Sequence, residues 1–140
     1  MKKLDTSRIV DTASGWFEGA ESDVTSPHIY FKPVRLKPSE KPIILSEFGG
    51  YVYKDTEHSF NLSKTYGYKI FERRSDFEAA LEALYLNEVA PNIKKGLCGS
   101  IYTQLSDVED ETNGLLTYDR RVLKVDPERM RSIAKSLVIN

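Results

Sequence analysis

Hydrophobic and polar positions fall along the chain in four short stretches of strand character and two of helical period. The clearest strand is residues 42–49 (PIILSEFG), a nearly continuous apolar run bounded by Pro42 and Gly49, as expected of a strand covered on both faces in a parallel sheet. Residues 8–14 (RIVDTAS), 24–31 (VTSPHIYF) and 99–105 (GSIYTQL) are predicted as three more. Phe77, Ala80, Leu81, Leu84 and Tyr85 recur at helical spacing, with Ser75 and Glu78 as a capping box and Pro91 as the stop. Asp126 and Pro127 form an N-cap and first-turn pair for a second helix, which places Met130, Ile133, Ala134 and Leu137 on one face. Both helices are expected to cover a sheet.

The connections between these elements are long and polar. Residues 50–74 follow the third strand and residues 106–125 the fourth, with TNGLL in the latter predicted as a tight turn. Long loops after strand ends are where α/β barrels keep their chemistry. No internal repeat, low-complexity tract or linker divides the chain, so residues 1–140 are expected to form a single domain.

Composition removes several function classes. Lys and Arg number 20 against 21 acidic residues, a net charge of −1, so no basic face is evident and nucleic acid is not an expected partner. The single cysteine, Cys98, excludes an intrachain disulfide and argues against a cysteine zinc site; in the apolar GLCGSIY it reads as a small buried hydrophobe. The two N-terminal lysines precede no apolar run, so neither a signal peptide nor a membrane span is expected, and the chain reads as cytosolic or as a piece of a longer protein.

Strand 42–49 carries a single glutamate near its end, Glu47, followed by Gly49 and Gly50. A lone strand-end glutamate is most often ion-paired or solvated. Its neighbours favour something more specific: His28 and Tyr30 on the preceding strand, Tyr51, and Trp16 after the first strand. Carboxylate, phenol and aromatic faces are what a sugar site requires, because sugars offer hydroxyls and C–H faces and react through an oxocarbenium-like transition state.

SRIVDTASGW, DVTSPHIY, PIILSEFGG and GSIYTQLSDVEDETNGLLTYDRRVLKVD, in that order, resemble the C-terminal half of the catalytic barrel of glycoside hydrolase family 2, the β-galactosidase and β-glucuronidase group. The resemblance is most specific at LSEFGG and YTQLSDVEDETNGLLTYDRR. It implies an α/β fold, a partial (β/α)8 TIM barrel of approximately strands 5 to 8 with covering helices, and a β-glycoside as substrate with no cofactor or metal. It implies that Glu47 is the nucleophile of a retaining mechanism and that Tyr30 hydrogen-bonds it, the phenol being expected within reach of the carboxylate. His28 is placed to reach a sugar hydroxyl or to bond within the structure. Trp16 either borders the sugar cleft or is a buried hydrophobe.

The chain departs from the family in two respects. The general acid/base of the family is a glutamate in an Asn-Glu pair on an earlier strand, and the pair found here, Asn87-Glu88, lies inside the predicted helix and is not assigned that role. At the end of the last strand, where the family commonly has a tryptophan under the sugar, Thr103 and Gln104 stand instead, giving a polar floor. The acidic run Asp107, Glu109, Asp110 and Glu111 lacks the spacing and central glycine of a calcium loop and reads as a solvated rim.

Since a full barrel needs about 250 residues, the chain is expected to be a glycosidase fragment that supplies the nucleophile and is inactive alone. The alternative is a non-catalytic half-barrel that self-associates or binds carbohydrate weakly. A homodimer is expected on either view, because Ile43 and Leu45 share the strand parity of Glu47 and would face the missing half.

Overall fold

The structure, a computed structural model, describes residues 2–17, 19 and 21–138. Five strands and two α-helices follow in the order β1 (His28–Ile29), β2 (Ile43–Gly49), β3 (Tyr51–Tyr53), β4 (Lys69–Phe71), α1 (Arg74–Leu84), β5 (Leu97–Thr103) and α2 (Pro127–Ser136). Strands β1, β2 and β5 form one parallel sheet in that order, and β3 and β4 a second parallel pair.

This is a small mixed α/β fold, and the expected half-barrel of four parallel strands with covering helices is not formed. Residues 8–14 make no strand; they hold to the segment before β1 through bonds such as the Asp23 N–H to the Val10 carbonyl at 2.8 Å, and the isolated bridge that follows them joins Gly15 to Pro27. The predicted strand 24–31 shrinks to two residues plus a bridge from Thr25 to Ile43, because Pro27 lacks the N–H that a continuous ladder requires. No helix separates β1 from β2. Residues 31–42 include Pro33 and Pro38, which hold the segment out of helical conformation. The strand–helix–strand unit is thus realised once, from β2 through α1 to β5.

Helix α1 buries Phe77, Leu81 and Leu84 as the spacing predicts, each side chain contributing about 1.5–3 kcal/mol of transfer free energy. Its ends differ from expectation. Ser75 lies inside the helix, Arg73 is the N-cap without a side-chain bond, and the chain runs on through a π turn (Tyr85–Val89) and a 3-10 segment (Ala90–Lys95) that contains Pro91. Gly96, at φ 98°, ends it in the left-handed conformation that glycine adopts without strain. Helix α2 starts as predicted: Asp126 accepts a hydrogen bond from the Glu128 N–H at 3.0 Å, with Pro127 following.

The core joins Ile43, Leu45 and Phe48 of β2 to Phe77, Leu81, Leu84, Tyr85 and Val89, with Ile133 of α2. Ile43 and Leu45 are therefore buried within one copy of the chain, at 2% and 0% exposure, rather than facing a missing half of a barrel. Cys98, expected inside, is exposed. TNGLL is not a turn: the tight turn lies just before it, between Val108 and Glu111, and Thr112, Asn113 and Gly114 are buried.

Candidate functional site

The pairing register of β2 shifts between Leu45 and Phe48. An irregularity of this kind re-aims side chains. Leu45 and Phe48 both enter the core, whereas Ser46 and Glu47 between them remain partly accessible. Strict alternation would have sent Glu47 the way of Ile43 and Leu45. The shift instead leaves a carboxylate 45% accessible beside a packed strand.

Four of the residues singled out in the sequence meet there. Register places His28 opposite Glu47 and Gly49 opposite Thr103, so the ends of all three strands converge. The Tyr30 hydroxyl donates to Glu47 Oε2 at 2.5 Å and lies 2.9 Å from Thr103 Oγ1. A phenol has one proton, so the Thr103 hydroxyl donates to Tyr30 while Tyr30 donates to the carboxylate. His28 Nδ1 lies 3.2 Å from the same Oε2. Both contacts fall on one carboxylate oxygen, and Oε1 accepts no side-chain hydrogen bond among the described residues.

Burial, and then the hydrogen bond to Glu47, push the Tyr30 phenol well above its ordinary value. It stays protonated, and so remains a donor, across the neutral range.

Glycine makes the site's close contacts possible at two places. Gly49 and Gly50 have φ of 83° and 62°, and a Cβ on them would stand 2.3 Å from the rings of Tyr102 and Tyr68 respectively. At Gly15 a Cβ would meet the His28 ring at 3.0 Å, so this backbone backs the imidazole directly.

Tyr68 was not visible in the sequence as part of the site. Its ring stacks on Tyr30 with centroids 4.0 Å apart and planes 14° apart, and Phe31 meets it edge-on at 4.8 Å. It arrives through the second sheet, whose pairing no local pattern announced. Burial raises its phenol pKa, with further contributions from Tyr66, Glu111 and Glu47, so the Glu111 and Glu47 carboxylates both act on this one hydroxyl.

The remaining sequence candidates lie differently. Gln104 is tied into its own loop, its Nε2 donating to Glu111 Oε2 at 3.0 Å and Asn113 Oδ1 at 2.9 Å. Trp16 is exposed, at 67%, and joins the site through a cavity wall it shares with His28. Glu88 lines the same aromatic cavity as Tyr30, Phe31, Tyr51 and Tyr68; its Oε2 accepts from the Val34 N–H at 2.8 Å, and it makes no hydrogen bond to Glu47 or Tyr30 among the described residues.

Glu47 lines neither of two cavities whose walls include its contact partners. His28 belongs to a cavity of about 890 Å³ and Tyr30 to a smaller, aromatic one of about 320 Å³ that includes Phe31, Tyr51 and Tyr68. Among the described residues no group of three or more His, Cys, Asp or Glu side chains could hold a metal ion, and no helix is long and apolar enough to cross a membrane.

Comparison with known proteins adds no family: no family model matches the chain, and none of the curated proteins matches it.

Proposed function

We propose that this chain carries the nucleophile side of a retaining β-glycosidase site, as the likeness of LSEFGG and YTQLSDVEDETNGLLTYDRR to glycoside hydrolase family 2 implies. The observation that carries the proposal is the Tyr30–Glu47 hydrogen bond at 2.5 Å with the second carboxylate oxygen left clear. One oxygen is oriented by a phenol and an imidazole, and the other is available to form a bond to an anomeric carbon. The aromatic faces of Tyr68 and Phe31 beside it suit the C–H face of a sugar.

Glu47 alone completes half of such a reaction. Attack of Oε1 on the anomeric carbon forms an ester and expels the aglycone with its electron pair; a poor leaving group must be protonated by a second carboxyl. Glu88 shares the aromatic cavity with Tyr30, but its Oε2 accepts the Val34 N–H and it makes no hydrogen bond to the Tyr30–Glu47 pair among the described residues, so it is not assigned this role. The second carboxyl is assigned to another segment of a longer protein.

This division of labour gives a direct test. A 4-nitrophenyl glycoside is turned over at no more than a trace rate, since general acid catalysis is typically worth about 10² to 10⁴-fold. A 2,4-dinitrophenyl glycoside needs no proton on its leaving group and releases dinitrophenolate in a burst of up to one equivalent per chain, lost in Glu47→Gln. Galactosides, glucosides and glucuronides are compared. Equal release by wild type and Glu47→Gln across all three contradicts the proposal.

The second reading, carbohydrate binding without bond cleavage, is favoured by the absence of a second carboxylate in hydrogen-bonded or ion-paired contact with the Tyr30–Glu47–His28 group among the described residues. It predicts saturable sugar binding with no dinitrophenolate release.

A further inference from the structure

Residues 32–41 (KPVRLKPSEK) carry Lys32, Arg35, Lys37 and Lys41 against Glu40 alone, a local excess of cations in a chain whose net charge is −1. The four cations are exposed and line the 890 Å³ cavity; Glu40 is the one carboxylate among its described lining residues. None of the four forms an ion pair among the described residues.

The strip that bears them is fixed from behind. Val34 and Leu36 are buried, at 4% and 8% exposure. The Val34 N–H donates to Glu88 Oε2 at 2.8 Å, the Leu36 N–H to Asn92 Oδ1 at 3.1 Å, and Asn92 Nδ2 returns a bond to the Val34 carbonyl at 2.9 Å. Leu36 lines the cavity from this anchored position, and Arg35 and Lys37 stand exposed on either side of it in the same wall. Asn92 is itself 2% exposed, so the anchor is part of the core.

Unpaired cations held around a concave surface repel one another and concentrate positive potential within it, a state that an anion relieves. Arg presents a planar fork that matches tetrahedral oxyanions, and Lys adds mobile point charges. Trp16 offers an exposed ring on the same wall, and His28 connects that wall to Glu47 at 3.2 Å.

We propose that this cavity binds a saccharide carrying a sulfate or phosphate ester, with Arg35, Lys37, Lys32 and Lys41 holding the oxyanion and Trp16 facing the sugar ring. The saccharide part rests on the glycosidase reading; the anion part does not.

Trp16 is the single tryptophan of the chain and reports on the cavity directly. Its emission is titrated with galactose 6-sulfate, galactose 6-phosphate, galactose, and inorganic sulfate and phosphate at constant ionic strength, with calorimetry as a second readout. Both esters are expected to bind saturably, at least tenfold tighter than galactose, and more weakly as salt rises. The exposed-site variant Arg35→Gln/Lys37→Gln should lose at least tenfold in ester affinity with an unchanged melting temperature. The anion part is read from the loss of ester affinity in Arg35→Gln/Lys37→Gln and the glycosidase reading from dinitrophenolate release, so failure of the glycosidase proposal leaves the anion part standing. Equal affinity for galactose and its esters, or no binding by either readout, overturns the inference. Inorganic anions binding as tightly as the esters overturn its saccharide part.

Discussion

Tyr30, just past the end of β1, and Glu47 of the neighbouring parallel strand β2 are joined by a 2.5 Å hydrogen bond whose donor is the phenol, and Thr103 is the second partner of that phenol. Three strand ends therefore share one polar contact, and the chemistry assigned to Glu47 depends on it.

Tyr30→Phe removes the donor and leaves Thr103 without its acceptor. A hydrogen bond to a charged group contributes about 1.5–3 kcal/mol, so dinitrophenolate release from the variant should slow by about 10- to 100-fold with the fold retained. In the converse variant, Glu47→Gln, the Tyr30 phenol should ionise at lower pH than in wild type, while burial, the larger cause, keeps it above 10.0. Phenol titration followed by NMR checks this. An unmoved midpoint would mean that the two groups do not interact in solution.

Stability should hinge on Lys124, which lies fully inside the protein. Its ammonium donates to Asp107 Oδ1 at 2.7 Å, the Tyr53 carbonyl at 2.8 Å and the Thr112 carbonyl at 3.0 Å, stitching the 106–125 segment to the second sheet. Burial pushes the Asp107 carboxyl up and the Lys124 ammonium down, each opposed by the other's charge. Asp107 Oδ2 has no hydrogen-bond partner among the described residues, so the pair is not fully satisfied there. Lys124→Met strands a buried carboxylate and should cost about 3–5 kcal/mol in denaturant unfolding. Adding Asp107→Leu should recover much of the loss.

A pH-dependent tie joins the 54–65 loop to the 117–121 turn. His58 Nδ1 lies 2.8 Å from Asp119 Oδ2, and Phe60 packs on Tyr118 at 5.1 Å. The hydrogen bond to Asp119 raises the His58 pKa above 6.5, and the reciprocal bond lowers Asp119 below 3.8. The raised histidine contributes stability that is complete below 6.5 and fades as pH climbs through its folded value. The lowered carboxyl contributes above 3.8 and loses its contribution as pH falls through its own. The tie is therefore strongest between 3.8 and 6.5. NMR titration should give His58 a midpoint above 6.5 that falls in Asp119→Asn; identical midpoints would show that the pair does not form.

Glu47, His28 and Tyr30 were legible because an apolar run ending in a carboxylate and two glycines marks a strand end, and parallel pairing brings neighbouring ends together. The family likeness then led too far on architecture. Pro33 and Pro38 argue locally against a helix between β1 and β2, and Pro27 against a full strand before it. Local backbone chemistry won over the likeness.

Other features leave little trace in sequence. Lys124 looks like a surface residue, since lysine is seldom buried without a partner far along the chain. The basic strip disappears when charge is averaged over the whole chain. The shift in β2 that turns Glu47 away from Ile43 and Leu45 is invisible to an alternation rule.

Covalent trapping is the most direct measurement. A 2,4-dinitrophenyl 2-deoxy-2-fluoro-β-glycoside supplies a leaving group that needs no acid, and its fluorine slows hydrolysis of the ester that forms. If Glu47 is the nucleophile, mass spectrometry should find one fluorosugar per chain on the peptide containing Glu47, none on Glu47→Gln, and slower labelling of Tyr30→Phe. An unlabelled chain, or a label carried instead by exposed Cys98 and undiminished in Glu47→Gln, would contradict it.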